Sequence, residues 1–134
     1  MPGSFIDTNV LIYLASGDGP KADRAERIVR DGGTISVQVL NEIANVARRK
    51  MRLGWRETRD FLASLRALLT VVPLTAEIHE AGLDLAERHA LSIYDAMIAA
   101  AALSAGCDRL WSEDMQHEQM LEGRLRVVDP FRGR

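Results

Sequence analysis

Ser4-Phe5-Ile6-Asp7-Thr8-Asn9-Val10-Leu11-Ile12 decides how the rest of the chain is read. Ser4-Phe5-Ile6 has the look of a short strand, and Val10-Leu11-Ile12-Tyr13-Leu14 is an apolar helical turn. A strand that gives way to a helix within a few residues opens a βα unit, and the sequence downstream repeats the alternation. Ser16-Gly17-Asp18-Gly19-Pro20 forms a loop, with Pro20 placed to open a helix that runs to about Arg30. Gly32-Gly33 stops that helix, and Thr34-Ile35-Ser36-Val37 is a second strand. From Gln38 to Met51, Val39, Leu40, Ile43, Val46 and Ala47 recur at helical spacing.

A further helix covers about Trp55 to Leu68, and Thr70-Val71-Val72 is a strand closed by Pro73. Thr75 opens a helix whose inner face carries Ile78, Gly82, Leu83, Leu85 and Ala86. Ser92 to Ala105 is apolar nearly all round, which predicts a helix buried on most sides. Arg109-Leu110-Trp111 and Arg126-Val127-Val128 are the last two strands. The order predicts a three-layer α/β/α fold around a central, mostly parallel sheet of about five short strands. Ligand sites in such sheets form at the carboxyl ends of the strands.

A length of 134 residues suits one domain, residues 1–134, and the sequence shows no repeat, low-complexity stretch or linker. With 47% hydrophobic and 27% charged residues it can bury a core, and a net charge of −2 means that any nucleic-acid partner must meet a local basic patch. The single cysteine, Cys107, excludes an internal disulfide and reads as a buried apolar filler in a reducing, cytoplasmic setting. Met1 to Asp7 lacks the pattern of a signal peptide. The longest apolar stretch, Ala96 to Leu103, is too short to span a membrane.

Of the 19 acidic residues, four stand out from polar surroundings. Asp7 follows the first strand; Glu42 lies beside the Val39/Ile43/Val46 face of its helix; Asp95 begins the buried helix; Asp114 follows the fourth strand. Glu42 and Asp95 are expected in the first turns of their helices, facing the sheet edge that Asp7 and Asp114 occupy. Singly, each has a plain structural reading. Asp7 caps a helix, Asp95 completes a capping box with Ser92, Glu42 sits at a boundary with its head in water, and Asp114 belongs to a loop. Four separate caps explain poorly why all four fall on one edge. Converging carboxylates in apolar surroundings call for a cation, and hard oxygen ligands favour Mg2+ or Mn2+ over zinc.

These same residues carry a family resemblance. Phe5-Ile6-Asp7-Thr8-Asn9-Val10-Leu11-Ile12 looks like the first motif of PIN-domain ribonucleases. The likeness continues through Glu42 after Val39-Leu40-Asn41, Tyr94-Asp95-Ala96-Met97-Ile98-Ala99, and Ser112-Glu113-Asp114. Size and layout resemble the VapC-type toxins of bacterial toxin–antitoxin systems. The resemblance implies a metal-dependent ribonuclease with Asp7, Glu42, Asp95 and Asp114 as catalytic metal-site acids. Asn9 and Ser112 would orient them through hydrogen bonds. It also implies an RNA substrate, an antitoxin partner and a homodimer. Of the adjacent acids Glu113 and Asp114, Asp114 is the one expected to face the metal.

Substrate phosphates need cations. Arg48, Arg49, Lys50, Arg52, Arg56 and Arg59 concentrate positive charge opposed locally only by Glu57, either as a solvated helix face or as a rim for RNA or antitoxin. His117, three residues past Asp114, is a surface residue within possible reach of substrate. Three rivals compete. A haloacid-dehalogenase-like phosphatase wants a second Asp where this chain has Asn9. A response-regulator receiver wants an Asp after its middle strand, where Val71-Val72-Pro73-Leu74 stands. A catalytically silent RNA- or protein-binding module is the third.

Overall fold

A computed structural model describes residues 3–17 and 19–132. The chain begins β1 (Ser4–Ile6), α1 (Thr8–Ser16), α2 (Gly19–Arg30), β2 (Thr34–Ser36), α3 (Val37–Arg49) and α4 (Trp55–Leu68). It continues β3 (Thr70–Val72), α5 (Ala76–His89), α6 (Ile93–Ser104), β4 (Arg109–Trp111), β5 (Met120–Leu121) and β6 (Leu125–Val128). Among the described residues, no helix is long and apolar enough to cross a membrane.

Several boundaries move, for local reasons. Helix α1 begins at Thr8 rather than at Val10, because the Asp7 side chain accepts the Thr8 N–H and caps the first turn. Ser16 is still helical and Gly19 is already in α2, so the expected loop shrinks; its Asp18, like Met1 and Pro2, lies outside the described residues. Gly17 ends α1 at φ 64°, a left-handed conformation natural to glycine, and donates its N–H to Tyr13 O at 3.1 Å. Helix α3 stops at Arg49, short of Met51.

The sheet has six strands in the order β3-β2-β1-β4-β6-β5. All neighbours pair in parallel except β5, which runs antiparallel to β6 through Met120↔Arg126 and Leu121↔Leu125. Strand β5 is the one not expected from the sequence. Its two residues are too few to show alternation, and it is held by a tight turn with φ 54° at Glu122 and 64° at Gly123.

The chain steps outward from β1 to β2 to β3 and then returns to the other side of β1 for β4. Right-handed crossovers therefore put α1 to α4 over one face and α5 and α6 over the other. Gly82 lets α5 approach α6 closely, since a Cβ there would sit 2.5 Å from Met97 Sδ. Phe5, Ile6, Ile35, Leu110 and Val127 are fully buried, and each contributes roughly 1.5–3 kcal/mol by leaving water. Along β4 and β6, Leu110 and Val127 face α6, while the paired Arg109 and Arg126, with Trp111, face the opposite side. Arg24 of α2 covers the Trp111 end of that half-face, and Arg109 and Arg126 stay exposed on it.

Candidate active site

The order of the sheet reverses between β1 and β4, and in sheets of this kind ligand sites lie at the carboxyl ends of the strands where the order reverses. Asp7 stands there. Its backbone N–H donates to Trp111 O at 2.9 Å, extending the β1–β4 ladder by one bond. The side chain is 4% exposed. Oδ1 accepts the Thr8 N–H at 2.7 Å, and Oδ2 accepts from Ser112 Oγ at 2.9 Å and Asn9 Nδ2 at 3.1 Å. Asn9 Oδ1 accepts the Glu113 N–H at 2.9 Å, and Ser112 Oγ accepts the Met115 N–H at 3.3 Å. Asn9 and Ser112 thus fasten the loop after β4 to the first turn of α1.

Glu42 is the sixth residue of α3, in its second turn rather than its first. Its Oε1 accepts from Thr8 Oγ1 at 2.5 Å and its Oε2 from Gln38 Nε2 at 3.1 Å. Gln38 Nε2 also donates to Tyr94 O at 3.1 Å, tying α3 to the start of α6. Sequence reasoning missed Thr8 and Gln38. For Gln38 the only signal is its place four residues before Glu42; for Thr8, 34 residues away, there is none. Asp95 is in the first turn of α6, where Ser92 caps the helix by accepting the Asp95 N–H at 3.2 Å. Beside Glu42 lies an open groove of about 460 Å³ lined by Gln38, Asn41, Asn45, Leu74 and Tyr94.

Electrostatics links the acids. Burial pushes the Asp7 carboxyl up to about 7; hydrogen bonds from Ser112 and Thr8 oppose this, and the charges of Asp95 and Glu42 add to it. Asp95 is also raised, first by burial and then by Asp114, while Ser92 pulls it down. Asp7, Glu42, Asp95 and the exposed Asp114 therefore share one negative field. Glu113 is turned elsewhere. It accepts from Tyr13 Oη at 2.7 Å and Lys21 Nζ at 2.5 Å, and although burial works the other way, these bonds hold its carboxyl below the usual range.

Among the described residues, none of the four acids forms an ion pair with Lys, Arg or His. Nor are three Asp, Glu, His or Cys groups gathered there into a closed metal cage. Asp7, Glu42 and Asp95 instead rest on the local donors just described. The donor set, all carboxylate and with no cation of the protein's own to offset it, has the hard-oxygen chemistry that suits Mg2+ or Mn2+.

The basic stretch divides in two. Arg48 is half-buried, lies 4.2 Å over the Trp55 ring and donates to Leu53 O at 2.7 Å, so it shapes the α3–α4 turn. Arg49, Lys50, Arg52, Arg56 and Arg59 are exposed. Arg48 is about 9 Å along α3 from Glu42, so the stretch is set apart from the acids rather than among them. His117 Nδ1 accepts the Asp129 N–H at 3.0 Å. Cys107 is buried, and burial pushes its thiol up.

A family model described as PIN domain matches residues 4–121. No curated protein matches the chain significantly. Among solved structures, a toxin–antitoxin complex from Klebsiella pneumoniae is similar at 21% identity and a TM-score of 0.74, covering 96% of this chain and 98% of that one. The sarcin-ricin-loop-cleaving toxin VapC20 of Mycobacterium tuberculosis is similar at 24% identity and TM-score 0.68, over 83% of this chain and 89% of that one. DNA-bound VapBC from Salmonella typhimurium gives 19% identity and TM-score 0.67, over 97% and 99% of the two chains. At these identities the likeness is one of fold.

Proposed function

Because the chain belongs to the PIN domain family, we propose that it is a metal-dependent endoribonuclease, a single nuclease domain that serves as the toxin of a toxin–antitoxin pair. The observation that carries this reading is Asp7: a buried carboxylate at the point where the sheet order reverses, held by Ser112 and Asn9 in the field of Asp95 and Glu42. Asp7, Glu42, Asp95 and Asp114 would hold Mg2+ or Mn2+. A bound ion would supply charge neutralisation at the scissile phosphodiester and acidify an attacking water. Thr8 and Gln38 keep Glu42 aimed, and Ser112 and Asn9 keep Asp7 aimed, as supporting donors do for ligating carboxylates.

The partners follow from the same reading. The Klebsiella and Salmonella relatives are complexes with antitoxin, which supports an antitoxin for this chain. Tyr94, Ile93 and Leu74 are large apolar side chains exposed near the acids, and they suit a protein partner or a second copy in a homodimer. A reducing cytoplasm is the setting that a lone buried Cys107 suits.

The test is a cleavage assay. Purified protein with Mg2+ or Mn2+ should cut RNA to leave 5′-phosphate and 3′-hydroxyl ends, and EDTA should stop it. Asp7→Asn and Asp95→Asn should each lower the rate more than about a hundredfold while the fold survives. Cyclic phosphate ends formed in EDTA would refute the reading. The second reading, a catalytically silent RNA- or protein-binding PIN module, draws support from the open arrangement of the carboxylates. Folded protein that binds RNA but never cuts it, with any divalent ion, would favour it.

A further inference from the structure

The half-face of β4 and β6 away from α6 is covered at its Trp111 end by Arg24 of α2, which donates to Pro130 O at 3.2 Å, and is basic where Arg109 and Arg126 stay exposed. Register places Arg109 directly opposite Arg126 on neighbouring parallel strands, both pointing away from α6. Strands lie about 4.8 Å apart, and like charges facing each other at that spacing destabilise a sheet, a cost that the Glu118 carboxylate beside Arg126 relieves only on one of the two side chains. Trp111, on the same face, is flanked by the guanidinium groups of Arg24 at 5.3 Å and Arg109 at 5.0 Å. A groove of about 460 Å³ runs over these residues and is extended by Arg132 and His117. Two acids near it offset part of this charge, and among the described residues Arg109 is left without an ion pair. Glu118 pairs with Arg126 at 3.4 Å on the exposed side, and the Asp129 carboxylate accepts the Phe131 N–H at 2.9 Å.

We propose that this groove is a second binding site, for the sugar-phosphate backbone of single-stranded RNA flanking the cut. A cationic groove that tracks the backbone is how proteins hold single strands without reading their sequence; Trp111, only 9% exposed, is the floor on which the arginines lie rather than a surface for stacked bases. The position serves the acid site: Trp111 is followed in the chain by Ser112, which fastens Asp7. A strand lying on Arg109 and Arg126 can therefore continue over the end of β4 towards the acids. It also answers a difficulty of charge. The acids repel phosphate and the chain has a net charge of −2, so attraction must come from a separate tract. The substrate part of the inference rests on the ribonuclease reading; the binding part does not need turnover.

The experiment measures binding of a fluorescein-labelled single-stranded RNA 20-mer to the whole protein in EDTA, by anisotropy across a salt series. Arg109→Gln/Arg126→Gln should weaken binding at least about fivefold and lower the slope of log K against log salt by about 1.4, near 0.7 for each phosphate no longer neutralised. Both side chains are exposed, so the fold should tolerate the change. Arg27→Gln/Arg30→Gln, on the exposed side of α2, should change binding less than twofold. A Trp55→Phe protein keeps Trp111 as its only tryptophan, and its fluorescence should change as RNA binds. An unaltered salt slope in the Arg109/Arg126 variant would overturn the proposal. So would an acidic peptide that displaces the RNA with equal affinity, which would assign the groove to a protein partner. The two readings fail separately. Groove-dependent binding by a protein that cuts no RNA with any divalent ion removes the nuclease and leaves the groove. Wild-type cutting and binding by the groove variant removes the groove alone.

Discussion

Asp7 does two things that pull in opposite directions. As the cap of α1 it favours the fold, and as a buried acid among acids it favours its own neutral form. Its carboxyl lies at about 7 when folded, against 3.8 for the free side chain. Between those values the folded state holds a proton that the unfolded state has lost. Asp7's contribution to stability is therefore fully present below about pH 4, falls as pH rises towards 7 and levels off above, over a range of the order of a few kcal/mol. In EDTA, denaturant melts at pH 5 and pH 8 should differ more for the wild type than for Asp7→Asn, which keeps the cap and loses the charge. Equal differences in the two proteins would show that Asp7 carries no such strain. At this scale the sequence was informative about single residues and silent about their partners. Asp7, Asn9 and Ser112 were legible because each ends a strand or opens a helix. The hydroxyl of Thr8 beneath Glu42 was not, because that pairing exists only once α1 and α3 meet. Likewise Glu113 and Asp114 are neighbours in the chain, and only the Lys21–Tyr13 pair beyond them separates their roles.

The elements were legible where hydrophobic period and capping agreed. Ser92 and Thr75 start α6 and α5 as N-caps, and Trp55–Leu68 is a helix over its expected span. Strand β5 was hidden because it is defined by its partner and not by its own two residues. Helix α5 ends at Ala90 in a left-handed conformation, φ 55°, with no glycine to relieve it. Ala90→Gly should raise stability by about 1 kcal/mol, read as a higher denaturation midpoint at unchanged slope. A lower midpoint would mean that the end of α5 is not strained. The turn between α3 and α4 divides the basic stretch into structural and available parts. Arg48→Ala should destabilise by roughly 1–2 kcal/mol, because it removes the bond to the Leu53 carbonyl and the packing over Trp55. Changing Arg49, Lys50, Arg56 and Arg59 to Gln should leave stability within about 0.5 kcal/mol and weaken RNA binding with a flatter salt dependence. If RNA binding is untouched by those four changes, the exposed part of the stretch is only a solvated face.

At the level of the whole molecule, a mostly parallel sheet between helix layers followed from alternating strands and helices, while the reversal of strand order between β1 and β4 and the exposed arginine pair on β4 and β6 did not. Which strand lies where is decided by long-range pairing that no local pattern records. If the proposed site is right, four acids with no ion-pair partner among the described residues would make the folded state a better ligand for divalent metal than the unfolded chain. Millimolar Mg2+ or Mn2+ should thus raise the melting temperature by a few degrees, rising with concentration as mass action requires, and less in Asp7→Asn. A melting temperature indifferent to metal in both proteins would speak against a shared site. The hydrogen bond from Ser112 to Asp7 has a further meaning in time, since it joins residues 105 positions apart. Synthesis at about 5–20 residues per second leaves Asp7 without that anchor for roughly 5–20 s after it is made. During that interval the nascent chain carries the first acid of the site but neither β4 nor Asp114 beside it. On the ribonuclease reading, a centre assembled from segments so far apart in the sequence would be silent while the chain is still being made, and would mature only once Ser112 has been added and β4 has joined β1.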